Sequence, residues 1–185
     1  MKKLLTTIFI LFFAFDSNGQ YQTNQLMKYV IKTNSIKTYN NVIVAELDSS
    51  IVEFTLRNLK TNKSVFKSID TSKAKITLTL KEKKFILNSL KEQYKKDWSE
   101  EDFHNLKVIK QEQVKSYIKE DKLNGYIYIS SPVFIRDGKI ALVFFANFYG
   151  DLQKTGGGIN NLSFYKIQEN GEWKKWIVLE SGIYN

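Results

Sequence analysis

The stretch YIYISSPVFIRDGKIALVFFANFY, residues 126–149, decides the fold of this chain. Two apolar runs flank Asp137-Gly138, and Asp-Gly between apolar runs is the strongest short-range signal for a β-hairpin. The second run, KIALVFFANFY, is apolar nearly throughout, which predicts a central strand covered on both faces. Pro132 predicts that the first strand is bulged or lies at an edge, because proline cannot donate a ladder hydrogen bond.

A second hairpin follows, since Asn170-Gly171 separates LSFYKIQE from EWKKWIVLE. The two hairpins together predict a four-stranded antiparallel meander. Between them lies GDLQKTGGGINN, residues 150–161, which we interpret as a loop that uses glycine for positive φ angles.

The middle of the chain contains the most regular helical pattern. From Lys81 to Trp98, one apolar stripe predicts an amphipathic helix that packs across the sheet; it comprises Ile86, Leu87, Leu90, Tyr94 and Trp98. The segment Ser99–Asp102 matches a capping box, in which Ser99 is the N-cap and Asp102 reaches back to it.

The remaining segments are shorter. Helices are predicted at Tyr21–Asn34 and Gln111–Glu120, and the β-branched runs VIVAEL, IVEFTL, SVFKSI and KITLTL between residues 42 and 80 predict strands. The predicted fold class is therefore α+β, an antiparallel sheet ending in the meander and packed against one main amphipathic helix. An NTF2-like or cystatin-like wrap of a sheet around a helix is the nearest named architecture, by analogy.

The N-terminus has the order of a secretory signal peptide. Lys2 and Lys3 precede an apolar run, Leu4 to Phe15, and Ser17 and Gly19 then form a small-x-small cleavage site. We predict a signal peptide over residues 1–19 and a single α+β domain over residues 20–185. The product is expected in the periplasm or outside the cell and without a lipid anchor, because the chain has no cysteine to carry one.

The charge and the arginine content of the chain bear on which partners it binds. The formal net charge is +9, yet the lysines are spread along the chain and only Arg57 and Arg136 are arginines, the usual bidentate readers of phosphate. A lysine-rich solvated surface explains this charge better than specific nucleic-acid binding. Without cysteine the fold has no disulfide, so its hydrophobic core must hold it together.

No motif predicts a catalytic residue, a cofactor or a bound metal. The run Gly156-Gly157-Gly158 is not a phosphate loop, because no Gly-Lys-Ser/Thr follows it, and the single His104 cannot form a multi-histidine metal site. Glycines do permit close approach of a ligand to backbone, so the rim of this loop is the candidate ligand site. Its residues are Gly156, Gly157, Gly158, Tyr149 and Trp173.

The second half of the chain resembles a group of small exported Bacteroidota proteins without an assigned function. The shared phrases are SSPVF at 130–134, Asp137-Gly138, VFFANFYG at 143–150, GGG at 156–158 and ENGEWKKW at 169–176. Relatives often place two cysteines around the Gly-rich loop, and this chain has none. The resemblance implies export and lends no activity.

Three functional hypotheses follow. The leading one is a non-enzymatic secreted or periplasmic protein that binds another protein or an envelope polymer. The second is a hydrolase of envelope polymers, which would use Ser130 or Ser131, or the carboxylates of Asp97, Glu100, Glu101 and Asp102 beside Trp98. No G-x-S-x-G elbow supports the serine. The third is a small-ligand carrier, which requires a sizeable apolar cavity on the concave face of the sheet.

Overall fold

The computed structural model describes residues 20–34, 41–57, 59–70, 73–103, 106–119, 125–149 and 157–184. The predicted signal peptide, His104 and Gly156 lie outside these ranges. The described helices and strands, in chain order, are α1 (20–34), β1 (Asn41–Val44), α2 (Ser49–Thr55), β2 (Val65–Lys67), β3 (Lys75–Thr77), α3 (Leu80–Gln93), β4 (Lys107–Ile109), α4 (Gln111–Lys119), β5 (Gly125–Ile129), β6 (Val133–Ile135), β7 (Ile140–Tyr149), β8 (Gly157–Ile167) and β9 (Trp173–Tyr184). In these ranges no helix combines the length and the apolar character that crossing a membrane requires.

The α+β class and the C-terminal meander are confirmed. Seven of the described strands form one sheet of order β4-β1-β5-β7-β8-β9, with β6 also paired to β7. Strand β7 pairs antiparallel with β5, β6 and β8, and β8 pairs antiparallel with β9. On the other side, β4, β1 and β5 run parallel, so the sheet as a whole is mixed. Strands β2 and β3 form a separate antiparallel pair.

The strand before the first hairpin is interrupted at Ser130–Pro132. Among the described strands β6, which follows the proline, pairs with β7 alone, so it lies at an edge, as Pro132 predicts. Strands β5 and β6 lie end to end along the same side of β7. Ser130 bridges the break, because its backbone N donates to the Phe144 carbonyl (3.0 Å) and its Oγ accepts from the Phe144 N (2.9 Å). The hairpin then closes through a four-residue turn at 136–139, in which φ is positive at Arg136 (54°), Asp137 (56°) and Gly138 (76°).

Strand β7 is covered on both faces, as its apolar sequence predicts. Its even-numbered residues, with Phe144 and Phe148 fully buried, face α3, and we call this side the α3 face. Its odd-numbered residues, such as Val143 and Phe145, pack beneath α1 on what we call the α1 face. Trp173 and Trp176 lie on opposite faces of β9, as their spacing predicts. Helices on both faces distinguish this fold from a sheet wrapped around one helix.

The run IVEFTL is helical, and its predicted strand is wrong. Asp48 caps α2 by accepting from the backbone N of Ser50 (2.8 Å). Val52, Leu56 and Leu59 are fully buried in the core of the α3 face, and their spacing of four and three residues is helical. The cap and this spacing outweigh the β-branched composition of the run.

Helix α3 ends at Gln93, before the predicted limit of Trp98. Its buried stripe contains Ile86 and Leu90, as predicted, but Trp98 packs with the residues of the α1 face. Trp98 is fixed there because its backbone N donates to the Ala45 carbonyl (2.9 Å) and its Nε1 donates to the Ile129 carbonyl (2.8 Å). The chain therefore passes from one face of the sheet to the other between α3 and Trp98.

Glu82 links the start of α3 to the first hairpin, and we expect Glu82→Ala to lower the free energy of unfolding by about 1 kcal/mol. Its Oε2 accepts from the Thr79 backbone N (2.8 Å) and its Oε1 accepts from Arg136 Nε (2.9 Å). The bond from Arg136 is the main reason that the pKa of Glu82 lies below its ordinary value of 4.5. A lowered pKa stabilises the fold above pH 4.5, and this stabilisation is lost as pH falls through the folded-state pKa.

Urea denaturation at pH 7 and pH 3 measures this effect. The difference between wild type and Glu82→Ala is expected to shrink at pH 3. Glu92→Ala is the matched control, because Glu92 is exposed and its ion pair in the described part of the chain is with the exposed Lys95. An equal loss in both variants would contradict a specific role for Glu82.

Candidate functional site: an apolar groove beside helix α1

Helix α1 presents three kinds of side chain around its axis. Leu26 and Val30 are fully buried against the sheet. Met27 and Ile31 lie one turn apart at the border of this buried stripe, and Lys28 and Lys32 form the next, exposed row. The helix therefore carries an apolar row and a cationic row side by side.

The segment that follows Trp98 forms the opposite wall. Ser99 and Asp102 make the predicted capping box around a 3₁₀ turn at Glu100–Asp102, with the Ser99 backbone N 2.8 Å from Asp102 Oδ2. Phe103 follows, is buried, and meets the Trp98 ring edge to face at a centroid distance of 4.9 Å. The cap and this ring contact fix the wall relative to the sheet.

Between helix and wall lies an open groove of about 270 Å³, which we call the α1 groove. Its apolar floor contains Met27, Ile31, Phe103 and Leu106, and its rim contains Asn24, Lys28, Lys32 and Asp102. Lys28 and Lys32 are exposed, and neither forms an ion pair or hydrogen bond with another described residue. The α1 groove thus offers apolar contact surface beside two uncompensated positive charges.

A second cavity of about 230 Å³, the Trp98 cleft, adjoins the groove at Asp102. Its lining is Leu47, Gln93, Lys96, Asp97, Trp98, Asp102, Ile129 and Ser131. Several of its polar groups hold the fold: Gln93 bonds to both the N (2.7 Å) and the O (3.1 Å) of Ser131. One oxygen of Asp102 is likewise occupied by Ser99. The cleft brings Asp97, Asp102 and Ser131 beside Trp98, whereas Glu100 and Glu101 are exposed outside its lining.

Of the residues predicted for the ligand loop, the structure brings Tyr149, Gly157 and Gly158 together. Gly157 and Gly158 are strand residues of β8, where they pair with Tyr149 and Phe148, rather than loop residues. Tyr149 is 42% exposed beside them. Gly158 has a packing role, since a Cβ at this position would lie 2.3 Å from Phe148 Cδ1.

Trp173 lies far from that loop. It pairs with Ile167 at one end of β9, whereas Gly158 pairs with Tyr184 at the other end. Trp173 is buried and packs against Phe134 at a ring distance of 6.0 Å. The structure therefore does not bring Trp173 together with Gly158.

Of the two candidate serine nucleophiles, Ser130 has a structural partner for its hydroxyl. The Ser130 hydroxyl is fully buried and bonded to the Phe144 backbone. In the described ranges no three His, Cys, Asp or Glu side chains are grouped as metal ligands.

A buried polar network lies near the C-terminal end of α1. Asn34 Oδ1 accepts from Lys175 Nζ (2.5 Å), and Asn34 Nδ2 donates to the Tyr165 hydroxyl (3.2 Å). Desolvation raises the pKa of Tyr165 and lowers that of Lys175. Ser163 and Asn161 extend the network along β8, through a bond of 3.1 Å from Ser163 Oγ to Asn161 Oδ1. These contacts fix the end of α1, and with it one end of the groove wall.

The sequence predicts that Met27 and Ile31 lie on a helix, but it does not predict the groove. The available signal was the pair of lysines at the same spacing of four residues, immediately beside the apolar pair. Nothing in the local pattern indicates that Phe103 and Leu106 lie across from them. Comparison with protein-family models, curated proteins and solved structures gave no match.

Proposed function

We propose that this chain is an exported, non-enzymatic binding protein that takes an apolar part of its partner or ligand into the α1 groove. The observation that carries the proposal is the apolar lining of the groove, in which Ile31 and Leu106 are partly exposed over the buried Met27 and Phe103. Apolar surface that the fold leaves concave and uncovered is typical of binding sites. The sheet itself is solidly packed on both faces, which favours this groove over a cavity on the concave face of the sheet.

The contacts of three groups that a hydrolase hypothesis would use support binding over catalysis. Asp102 is tied to Ser99, the Trp98 indole donates to Ile129, and the Ser130 hydroxyl is committed to Phe144. A general base or nucleophile needs a lone pair or proton free to meet the substrate. Groups that already complete the fold are poorly suited to that role.

A neutral apolar dye tests the groove. We expect N-phenyl-1-naphthylamine to bind wild type saturably, and Ile31→Gln to weaken this binding about tenfold by removing apolar contact area. Fluorescence titration measures the affinity, and circular dichroism confirms that each variant is folded. Ile69→Gln is the matched control, because Ile69 is 59% exposed and lies outside the groove lining. Absence of saturable binding to wild type, or equal weakening in both variants, would contradict the proposal.

A second candidate, hydrolysis of an envelope polymer, is supported by one observation. Asp97, Asp102 and Trp98 line the same cleft, as a carboxylate pair beside a sugar-stacking ring would. Incubation of the purified protein with isolated envelope polysaccharide decides between the two candidates. Release of soluble fragments that is abolished by Asp97→Asn would favour the hydrolase, and the absence of release would favour binding.

A further inference from the structure

Resting on this binding role, we propose that the ligand of the α1 groove is a single-chain amphiphile with an anionic head, of the medium-chain fatty-acid class. The observation behind it is the pairing of an apolar row with a cationic row on one helix. Met27 and Ile31 lie on the floor, and Lys28 and Lys32 lie on the rim directly beside them. Each row spans one helical turn, about 6 Å, so a linear chain lying along α1 contacts both.

The size of the groove sets the length of the tail. A volume of about 270 Å³ equals about nine water molecules at ~30 Å³ each. A methylene group occupies nearly the same volume as a water molecule. A tail of about eight or nine carbons therefore matches the groove in volume, and a folded protein domain exceeds it.

Charge sets the orientation of the head group. The Lys28 and Lys32 ammonium groups form no ion pair with the rest of the described chain, so an anion between them gains two charge-assisted contacts. Asp102 is on the rim too and repels an anion, which directs the head toward the lysines of α1. The net charge of +9 attracts anionic ligands from solution but gives no preference for this site.

Calorimetric titration with octanoate at pH 7, below its micelle-forming concentration, tests the proposal. We expect octanoate to bind one site more tightly than 1-octanol, and octyltrimethylammonium to bind more weakly than either. Lys28→Gln/Lys32→Gln is expected to weaken octanoate at least about tenfold, because it removes both charge-assisted contacts, and to leave 1-octanol unchanged. Lys84→Gln/Lys91→Gln removes the same charge from exposed positions on α3 and is expected to change neither affinity.

Three outcomes would overturn the proposal. One is octanoate binding no tighter than 1-octanol while the neutral dye still binds, which removes the anionic ligand but leaves the proposed groove function intact. Another is an equal loss in the α1 and α3 double variants, which assigns the attraction to overall charge. The third is octanoate binding only in the presence of anionic lipid vesicles, which assigns it to a membrane surface. Failure of both octanoate and the dye would remove the binding function itself.

Discussion

Gly158→Ala is expected to lower the free energy of unfolding by about 3 kcal/mol or more. An added Cβ would lie 2.3 Å from Phe148 Cδ1 and 2.6 Å from the backbone O of Asn147. Phe148 is fully buried, and the second atom belongs to the backbone of the central strand β7, so neither moves without disturbing the core. Urea denaturation followed by circular dichroism measures the loss.

Gly171→Ala is the control that separates the steric effect of an added Cβ from the effect of backbone conformation. Gly171 has a φ of 80° and nothing within 4 Å of its added Cβ, so the expected cost is only the left-handed strain of about 1 kcal/mol. If Gly158→Ala were no more costly than Gly171→Ala, the packing role of Gly158 would be refuted. Normal stability combined with lost ligand binding would instead restore the glycine run as a ligand loop.

The meander could be predicted because its signals are local. Asp137-Gly138 and Asn170-Gly171 each specify a tight turn within a few residues, so the runs on the two sides of each turn pair antiparallel. The parallel pairing of β1 with β4 and β5 has no such signal. It depends on contacts between segments more than sixty residues apart in sequence, and composition does not show which segment meets which.

The error at α2 has a different cause. The run IVEFTL alternates apolar and polar residues as a strand does, but it also has Asp48 in the N-cap position. The fully buried residues Val52, Leu56 and Leu59 reveal the helical period only when the window extends beyond the run itself. The six residues of the run, taken alone, therefore predict a strand where the chain forms a helix.

The α1 groove could not be predicted for the same reason, because it is formed by segments distant in sequence. One wall, Met27 to Lys32, is a helix that the sequence predicts, and the other depends on where the chain runs after Trp98. That path is set by the hydrogen bonds from Trp98 to Ala45 and Ile129, which join segments distant in sequence. The sequence shows which residue types α1 presents, but it does not show which residues lie across the groove from them.

Asn147→Leu is expected to raise the free energy of unfolding by about 1–3 kcal/mol, the reverse of most core substitutions. Asn147 is 1% exposed on the α1 face of β7, and neither polar atom of its side chain has a hydrogen-bond partner in the described structure. Leucine has the same branched shape without the polar atoms, so the desolvation cost disappears and apolar contact is gained.

Asn161→Leu on the neighbouring strand is the matched control and is expected to destabilise the protein by a similar amount, because Ser163 and Asn34 bond to Asn161. Urea denaturation of both variants gives the comparison. A destabilised Asn147→Leu would show that a bound water or ligand satisfies this amide, and would mark it as part of a polar site beneath α1.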